Sequence, residues 1–124
     1  MIHIRTGKEV EKLRASCRLA AEAMEMARKE IRPGAVTRDL SEKVRCFIES
    51  RGARAAFLGY NGFPEAICIS LNEEVVHGIP CERALREGDL VKIDLGVYMD
   101  GFYGDMARTY PVGRVSGKAK ALME

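Results

Sequence analysis

The chain lacks the long apolar segments that insert proteins into membranes or carry them across. None of its apolar runs approaches the ~20 residues that a membrane-spanning helix needs. The amino terminus, MIHIRTGKEVEK, lacks the apolar centre of a signal peptide. We therefore expect no membrane partner.

The chain also lacks a strong excess of charge of one sign. Its 20 basic and 18 acidic residues are interspersed and give a net charge of only +2. The one basic cluster, Arg28, Lys29 and Arg32, is small, and such clusters are mostly solvated surface. The charge pattern therefore predicts no nucleic-acid partner.

The four cysteines lack the CxxC spacing of redox and zinc motifs. Cys17 and Cys46 fall on the predicted apolar faces of helices, where a reduced cysteine behaves as a small apolar residue. With 47% apolar residues, a chain of 124 residues can build a core without disulfides, as one domain covering residues 1–124. We expect free thiols and a cytoplasmic protein.

The first third of the chain predicts two amphipathic helices. Thr6 and Glu9 have the spacing of a capping box, and Thr37 is the predicted N-cap of the second helix, which Gly52 ends. The heptad spacing in the first helix could indicate a coiled coil, but it lasts only about three repeats before Pro33-Gly34, so we favour packing within the chain. Its apolar seam consists of Val10, Leu13, Cys17, Ala20, Met24, Ala27 and Ile31.

Strand patterns follow the helices. Residues 53–58 and 66–71 are predicted strands, and residues 89–113 predict a β-hairpin with its turn at Asp100-Gly101. Helices and strands are segregated along the chain, which indicates an α+β fold with two helices on one face of an antiparallel sheet. The last residues, from Ser116, begin another helix that stops after about two turns, as if the chain were cut inside an element.

The predicted hairpin register brings two carboxylates together. With Met99 opposite Phe102, Asp94 and Asp105 lie on the same face as diagonal neighbours, with Cα atoms about 7–8 Å apart. Aspartate is depleted in strands, and local rules are most often broken at functional sites. Each aspartate alone is most simply read as part of a solvated face, but together they could hold metal ions about 3.5–4 Å apart.

His77, in the segment NEEVVHGIP, is the other polar residue to weigh. A histidine beside a Gly-Pro turn is most often an ordinary loop residue, yet imidazole also binds metals and transfers protons near pH 7. The presence of His77 together with two aspartates on one face favours a functional site.

Two runs, YNGFPEAICISLNEEVVHGIP and LREGDLVKIDLGVYMDGFYGDMARTYPVG, resemble the amino-terminal half of the type I methionine aminopeptidases. The resemblance extends over essentially the whole chain and implies half of a pita-bread fold. It also implies that Asp94 chelates one metal ion, that Asp105 bridges two (Mn, Fe, Co or Zn), and that His77 acts in catalysis and contacts the substrate. The positions implied to bind the substrate methionine are Phe57, Tyr60, Phe63 and Cys68. Phe57 is a departure that we expect to narrow this pocket, because a smaller residue is common there.

The resemblance further implies that a His and two Glu of a second half complete the metal site. This chain has no counterpart of them, and no motif lets His3 replace the missing histidine. We expect a fragment with partial or no metal and little or no aminopeptidase activity. The alternatives are a C₂ dimer that replaces the missing half and a non-catalytic binding module of the same family. Prolidase and aminopeptidase P are related, but the VHGIP context and the short leading helices favour the methionine enzymes.

Overall fold

The computed structural model describes residues 1–123. The chain folds in the order α1 (Gly7–Glu30), α2 (Thr37–Ser50), β1 (Arg54–Ala55), a 3₁₀ turn (Tyr60–Gly62), β2 (Ile67–Leu71), β3 (Leu90–Met99), β4 (Phe102–Pro111) and α3 (Gly117–Met123). The two long helices precede the strands, as the sequence pattern predicts, so the α+β prediction is confirmed. Within residues 1–123, none of the helices is long and apolar enough to cross a membrane.

β3 is the central strand of an antiparallel sheet. β4 pairs with one edge of β3 along its full length, and β2 and β1 pair one after the other with the opposite edge. Asp100 and Gly101 have φ values of +51° and +87°, the left-handed conformations that a type I′ turn requires. The predicted register is therefore confirmed: Asp94 lies opposite Ala107, and Asp105 lies opposite Gly96.

The two long helices cover one face of this sheet. α1 packs on β3 and β4, and α2 packs on β1 and β2. The alternate residues of the strands that face the helices form the core, and their burial supplies most of the driving force for folding. The fully buried members include Ile67, Ile93, Leu95, Val91 and Val97 from the sheet, with Met24, Val44 and Ile48 from the helices. The opposite face of the sheet, which we call the cleft face, carries both aspartates.

The predicted start of α1 is confirmed, and its buried face follows the predicted seam except at Cys17. Thr6 and Glu9 form the capping box, and Ala20, Met24 and Ala27 are buried. Cys17, however, is exposed, and so is Cys46 on α2, so their assignment to apolar faces is wrong.

Ser16 explains the change in α1. Its hydroxyl donates to the carbonyls of Met99 and Phe102 beside the hairpin turn, at 3.4 and 3.2 Å. Gly104 lets the helix come this close, because a Cβ there would lie 2.4 Å from the Ser16 carbonyl oxygen. The close contact turns Ser16 toward the sheet and leaves Cys17 facing outward.

Two further local predictions need correction. Thr37 is the first residue of α2 and not its N-cap, which is Val36. The Thr37 hydroxyl instead donates to the Cys81 carbonyl at 2.8 Å and accepts from the Cys81 N–H at 3.0 Å. The strand predicted over residues 53–58 is only Arg54–Ala55, because the chain after Ala56 leaves the sheet to form the loop around the site.

Candidate metal centre and substrate cavity

The structure places Asp94 and Asp105 on the cleft face of two adjacent strands. Asp94 is half-buried and Asp105 is exposed. None of the ion pairs in the part of the chain that the structure describes involves either carboxylate. Burial and, next, the Asp105 carboxylate raise the pKa of Asp94, while His77 opposes this effect. The pair therefore concentrates negative charge that no ion pair within residues 1–123 neutralises, which suits a cation.

Cys68 lies directly opposite Asp94 on the neighbouring strand β2. Burial, followed by the charges of Asp94 and Asp105, raises the pKa of the Cys68 thiol to about 11. In the metal-free protein at neutral pH, Cys68 is therefore a neutral thiol in the wall of the site.

A cavity of about 510 Å³ opens beside Asp94. Its volume lies within the range of about 300–1,000 Å³ that small-molecule sites occupy. Most of the predicted site residues line this one cavity, which brings together Phe57, Tyr60, Phe63, Cys68, His77 and Asp94. Asp105 is not among its lining residues. An apolar, aromatic wall that ends at a carboxylate can receive an apolar side chain and hold a positively charged group beside it.

A second cavity of about 300 Å³ shares His77 and Asp94 with the first and is also lined by Lys92 and Thr109. His77 and Asp94 therefore stand between two openings of the cleft.

The loop that carries His77 is held against the edge of β2. Gly78 donates its N–H to the Ser70 hydroxyl at 3.0 Å, and its carbonyl accepts from the Ile69 N–H at 2.9 Å. A Cβ at Gly78 would lie 2.2 Å from the Ile69 carbonyl oxygen, so this contact requires glycine. His77 itself has a φ of +60°, an uncommon conformation for a non-glycine residue. The loop thus fixes the backbone of His77 beside the cleft.

Three residues that help to build the site are not predicted from the sequence. Ser70 positions the loop of His77, Ile79 lines the aromatic cavity, and Gly96 leaves space for the Phe57 ring. A Cβ at Gly96 would lie 2.8 Å from Phe57 Cε1. The sequence signal for Gly96 was present, since glycine inside a strand often marks close approach of another group.

The described part of the chain gives the aspartate pair no third side chain arranged for metal binding. Among residues 1–123, no group of three or more His, Cys, Asp or Glu side chains is arranged to hold a metal ion. The oxygen donors of Asp94 and Asp105 fit a divalent cation, but they fill only part of its coordination sphere.

Known proteins resemble this chain over nearly its whole length. The model of metallopeptidase family M24 matches residues 11–124. Methionine aminopeptidase 1 of Bacillus subtilis is 44% identical over 124 residues, which are all of this chain and 50% of that protein. A methionine aminopeptidase of Helicobacter pylori is 44% identical over 122 residues, 98% of this chain and 48% of that one. The chain spans about half the length of the curated relatives it matches.

Solved structures show the same relation. The methionine aminopeptidase of Rickettsia prowazekii superposes with a TM-score of 0.97 at 44% identity, over 99% of this chain and 50% of that one. The prolidase of Pyrococcus furiosus superposes with a TM-score of 0.78 at 27% identity, over 95% of this chain and 34% of that one. The prediction of half a pita-bread fold is therefore confirmed. The chain belongs to metallopeptidase family M24 and resembles half of a methionine aminopeptidase.

Proposed function

We propose that this chain is the amino-terminal half of a dinuclear, metal-dependent aminopeptidase that removes the initiator methionine from peptides and nascent proteins. The main support for the proposal is that Asp94 and His77 both line the aromatic cavity on the cleft face. Relatives 44% identical over the whole chain bear the name methionine aminopeptidase. The free cysteines favour a cytoplasmic location, where thiols stay reduced.

Asp94 and Asp105 would hold the metal ions. Carboxylate ligation favours Mn, Fe(II) or Co, with Zn as the remaining candidate. When bound, such ions act as Lewis acids that activate water and polarise the peptide carbonyl. The raised pKa of Asp94 fits this role, because a cation would offset the burial and the repulsion from Asp105 that raise it.

The aromatic cavity would bind the methionine side chain. Phe57, Tyr60 and Phe63 supply ring surfaces, against which a thioether packs favourably. Cys68 closes the wall as a neutral thiol. His77, at the junction of the two cavities, would hydrogen-bond the substrate beside the bond to be cleaved. Phe57 would narrow the pocket.

This half-site is incomplete on its own. Two carboxylates cannot fix the coordination number and geometry that hydrolysis by two metal ions needs. The remaining ligands would come from outside this chain, either from a second half like that of the longer relatives or from a second copy of the chain in a C₂ dimer. A non-catalytic binding module is less favoured, because both aspartates and His77 are present together at the cavity.

Metal binding tests this proposal directly. We expect isothermal titration to detect weak Mn²⁺ binding that Asp94→Asn and Asp105→Asn each weaken at least tenfold, because each removes one of two charged ligands. Asp100→Asn is the matched control, since Asp100 lies in the turn of the same hairpin and asparagine tolerates its positive φ. Mn²⁺ binding that both site variants leave unchanged would contradict the proposal.

A further inference from the structure

Two separate loops line the aromatic cavity. The first loop, residues 57–64, carries Tyr60 and Phe63, and the second follows β2 and carries His77 and Ile79. A site built from loops is precise only where packing and hydrogen bonds hold those loops in place. The shape of the cavity therefore depends on what fixes each loop.

The first loop is attached to α2 by a buried serine. Ser41 is fully buried, and its hydroxyl donates to a Glu65 carboxylate oxygen at 3.0 Å and accepts from the Ala66 N–H at 3.2 Å. Glu65 directly follows Pro64, which lines the cavity. Removal of the Ser41 hydroxyl would leave the buried Ala66 N–H without this acceptor, which costs more than the loss of an exposed hydrogen bond.

The second loop is attached to the same helix one turn earlier. The Thr37 hydroxyl bonds both backbone groups of Cys81, two residues after Ile79. The first N–H groups of a helix have no partner within the helix, and α2 has no hydrogen bond from an N-cap side chain. Those of Thr37 and Arg38 donate instead to the carbonyls of Arg83 and Cys81, each at 3.0 Å. The loop thus completes the start of α2, and α2 fixes the loop.

Arg38 lies between the two attachments. Its guanidinium pairs with Glu65 after the first loop, at 3.6 Å, and with Glu82 after the second. The Arg38 side chain is 51% exposed, so these ion pairs contribute little to stability. The buried hydroxyls of Ser41 and Thr37 therefore provide most of the attachment.

We propose that Thr37, Arg38 and Ser41, which we call the α2 anchor, are positioning residues that set the distance between the two loops and so the width of the aromatic cavity. All three lie outside the lining of that cavity, so they act through the residues that line it. Loss of one hydroxyl should release one loop and leave the other in place, because a different side chain holds each loop. The positioning rests on these contacts, and only its effect on methionine binding rests on the proposed function.

NMR of the full chain in EDTA tests the attachment of the first loop. Ser41→Ala removes both of its hydrogen bonds to this loop, so we expect the Tyr60 and Phe63 resonances to move. Ser16→Ala is the matched control, because Ser16 is equally buried and its hydroxyl also bonds the backbone, but beside the hairpin turn. The control should lower the melting temperature by a similar amount and leave the Tyr60 and Phe63 resonances in place.

Thr37→Val tests the second attachment, since valine keeps the shape of the side chain and removes its hydroxyl. The His77 and Ile79 resonances should move, while those of Tyr60 and Phe63 stay in place. Thr37→Ser keeps the hydroxyl and should give the wild-type shifts.

Titration with L-methioninamide, followed in the same spectra, tests the effect on the cavity. We expect Ser41→Ala and Thr37→Val each to weaken binding several-fold, because each lets one loop move away from the ligand. Thr37→Ser and Ser16→Ala should bind like the wild type.

Two outcomes would overturn the proposal. One is that Ser41→Ala and Thr37→Val leave the cavity resonances unchanged, and the other is that Ser16→Ala changes them equally. A wild type that binds no methioninamide, while the shifts follow the expected pattern, would support the α2 anchor and count against the proposed function.

Discussion

At the scale of single residues, the most informative feature is the half-buried Asp94 carboxylate. Burial and its neighbour Asp105 raise its pKa, so the folded protein holds the charged form less favourably than the unfolded chain does. A side chain kept at a cost in stability is typical of functional sites.

We predict that Asp94→Asn raises the melting temperature of the metal-free protein by a few degrees at pH 7. Stability contributed by the protonated form of Asp94 is present at acid pH and is lost as pH rises through the raised pKa of its carboxyl group. The advantage of the asparagine variant should therefore be small at acid pH and grow toward neutral pH. Calorimetry in EDTA over this pH range measures it.

Asp100→Asn serves as the control for this prediction, because Asp100 is exposed in the turn. Addition of Mn²⁺ should reverse the order and make the wild type the more stable protein. A lower melting temperature of Asp94→Asn in EDTA at pH 7 would contradict the account of an uncompensated charge.

Some residue positions could be predicted from the sequence, and others could not. The facing of Asp94 and Asp105 could be predicted because a two-residue turn fixes the register of both strands. The exposure of Cys17 and the bonding of Thr37 could not, since each depends on a group distant in sequence. Ser16 turns toward the hairpin carbonyls, and Thr37 bonds the backbone of Cys81.

At the scale of elements, the loop over residues 72–80 decides where His77 lies. Its attachment to β2 uses the Ser70 hydroxyl and the close backbone contact of Gly78. This attachment could not be predicted, because Ser70 reads only as a polar residue within an alternating strand. The position of His77 beside Asp94 follows from it.

We predict that Ser70→Ala lowers the free energy of unfolding by about 1 kcal/mol, the typical value of one lost hydrogen bond. Gly78→Ala should be much more harmful, by about 2–4 kcal/mol, because its Cβ would overlap the Ile69 carbonyl. Urea unfolding measures both changes. Gly117→Ala is a suitable control, since nothing lies within 4 Å of a Cβ built there.

The NMR chemical shifts of His77 show whether Ser70→Ala changes only the loop or the whole fold. Ser70→Ala should move the His77 and Ile79 resonances and leave those of α1 in place. If Gly78→Ala is as stable as the wild type, the loop does not pack on β2 as described.

At the scale of the whole molecule, one face of the sheet forms the core and the opposite face carries the candidate site. The helix-facing residues of β3, such as Ile93 and Leu95, are fully buried. The cleft face carries Asp94 and Asp105, which form no ion pair within residues 1–123. The general architecture could be predicted because segregated helices and strands and a strong hairpin left few alternatives. β1 was predicted too long, since a strand pattern does not show where the chain leaves the sheet to build a cavity wall.

Because the buried core and the incomplete metal site lie on opposite faces of the sheet, we predict a chain that folds stably but lacks aminopeptidase activity. We expect no turnover of a methionine-containing chromogenic peptide above background at saturating Mn²⁺ or Co²⁺, because two carboxylates cannot hold a metal pair in the geometry that hydrolysis needs. Pairing of two copies would raise the number of carboxylates but add no ligand of another kind, so activity should stay at background even where the dimer predominates. Turnover that rises with protein concentration and is abolished by Asp94→Asn would show the opposite: that carboxylates from two copies suffice for catalysis.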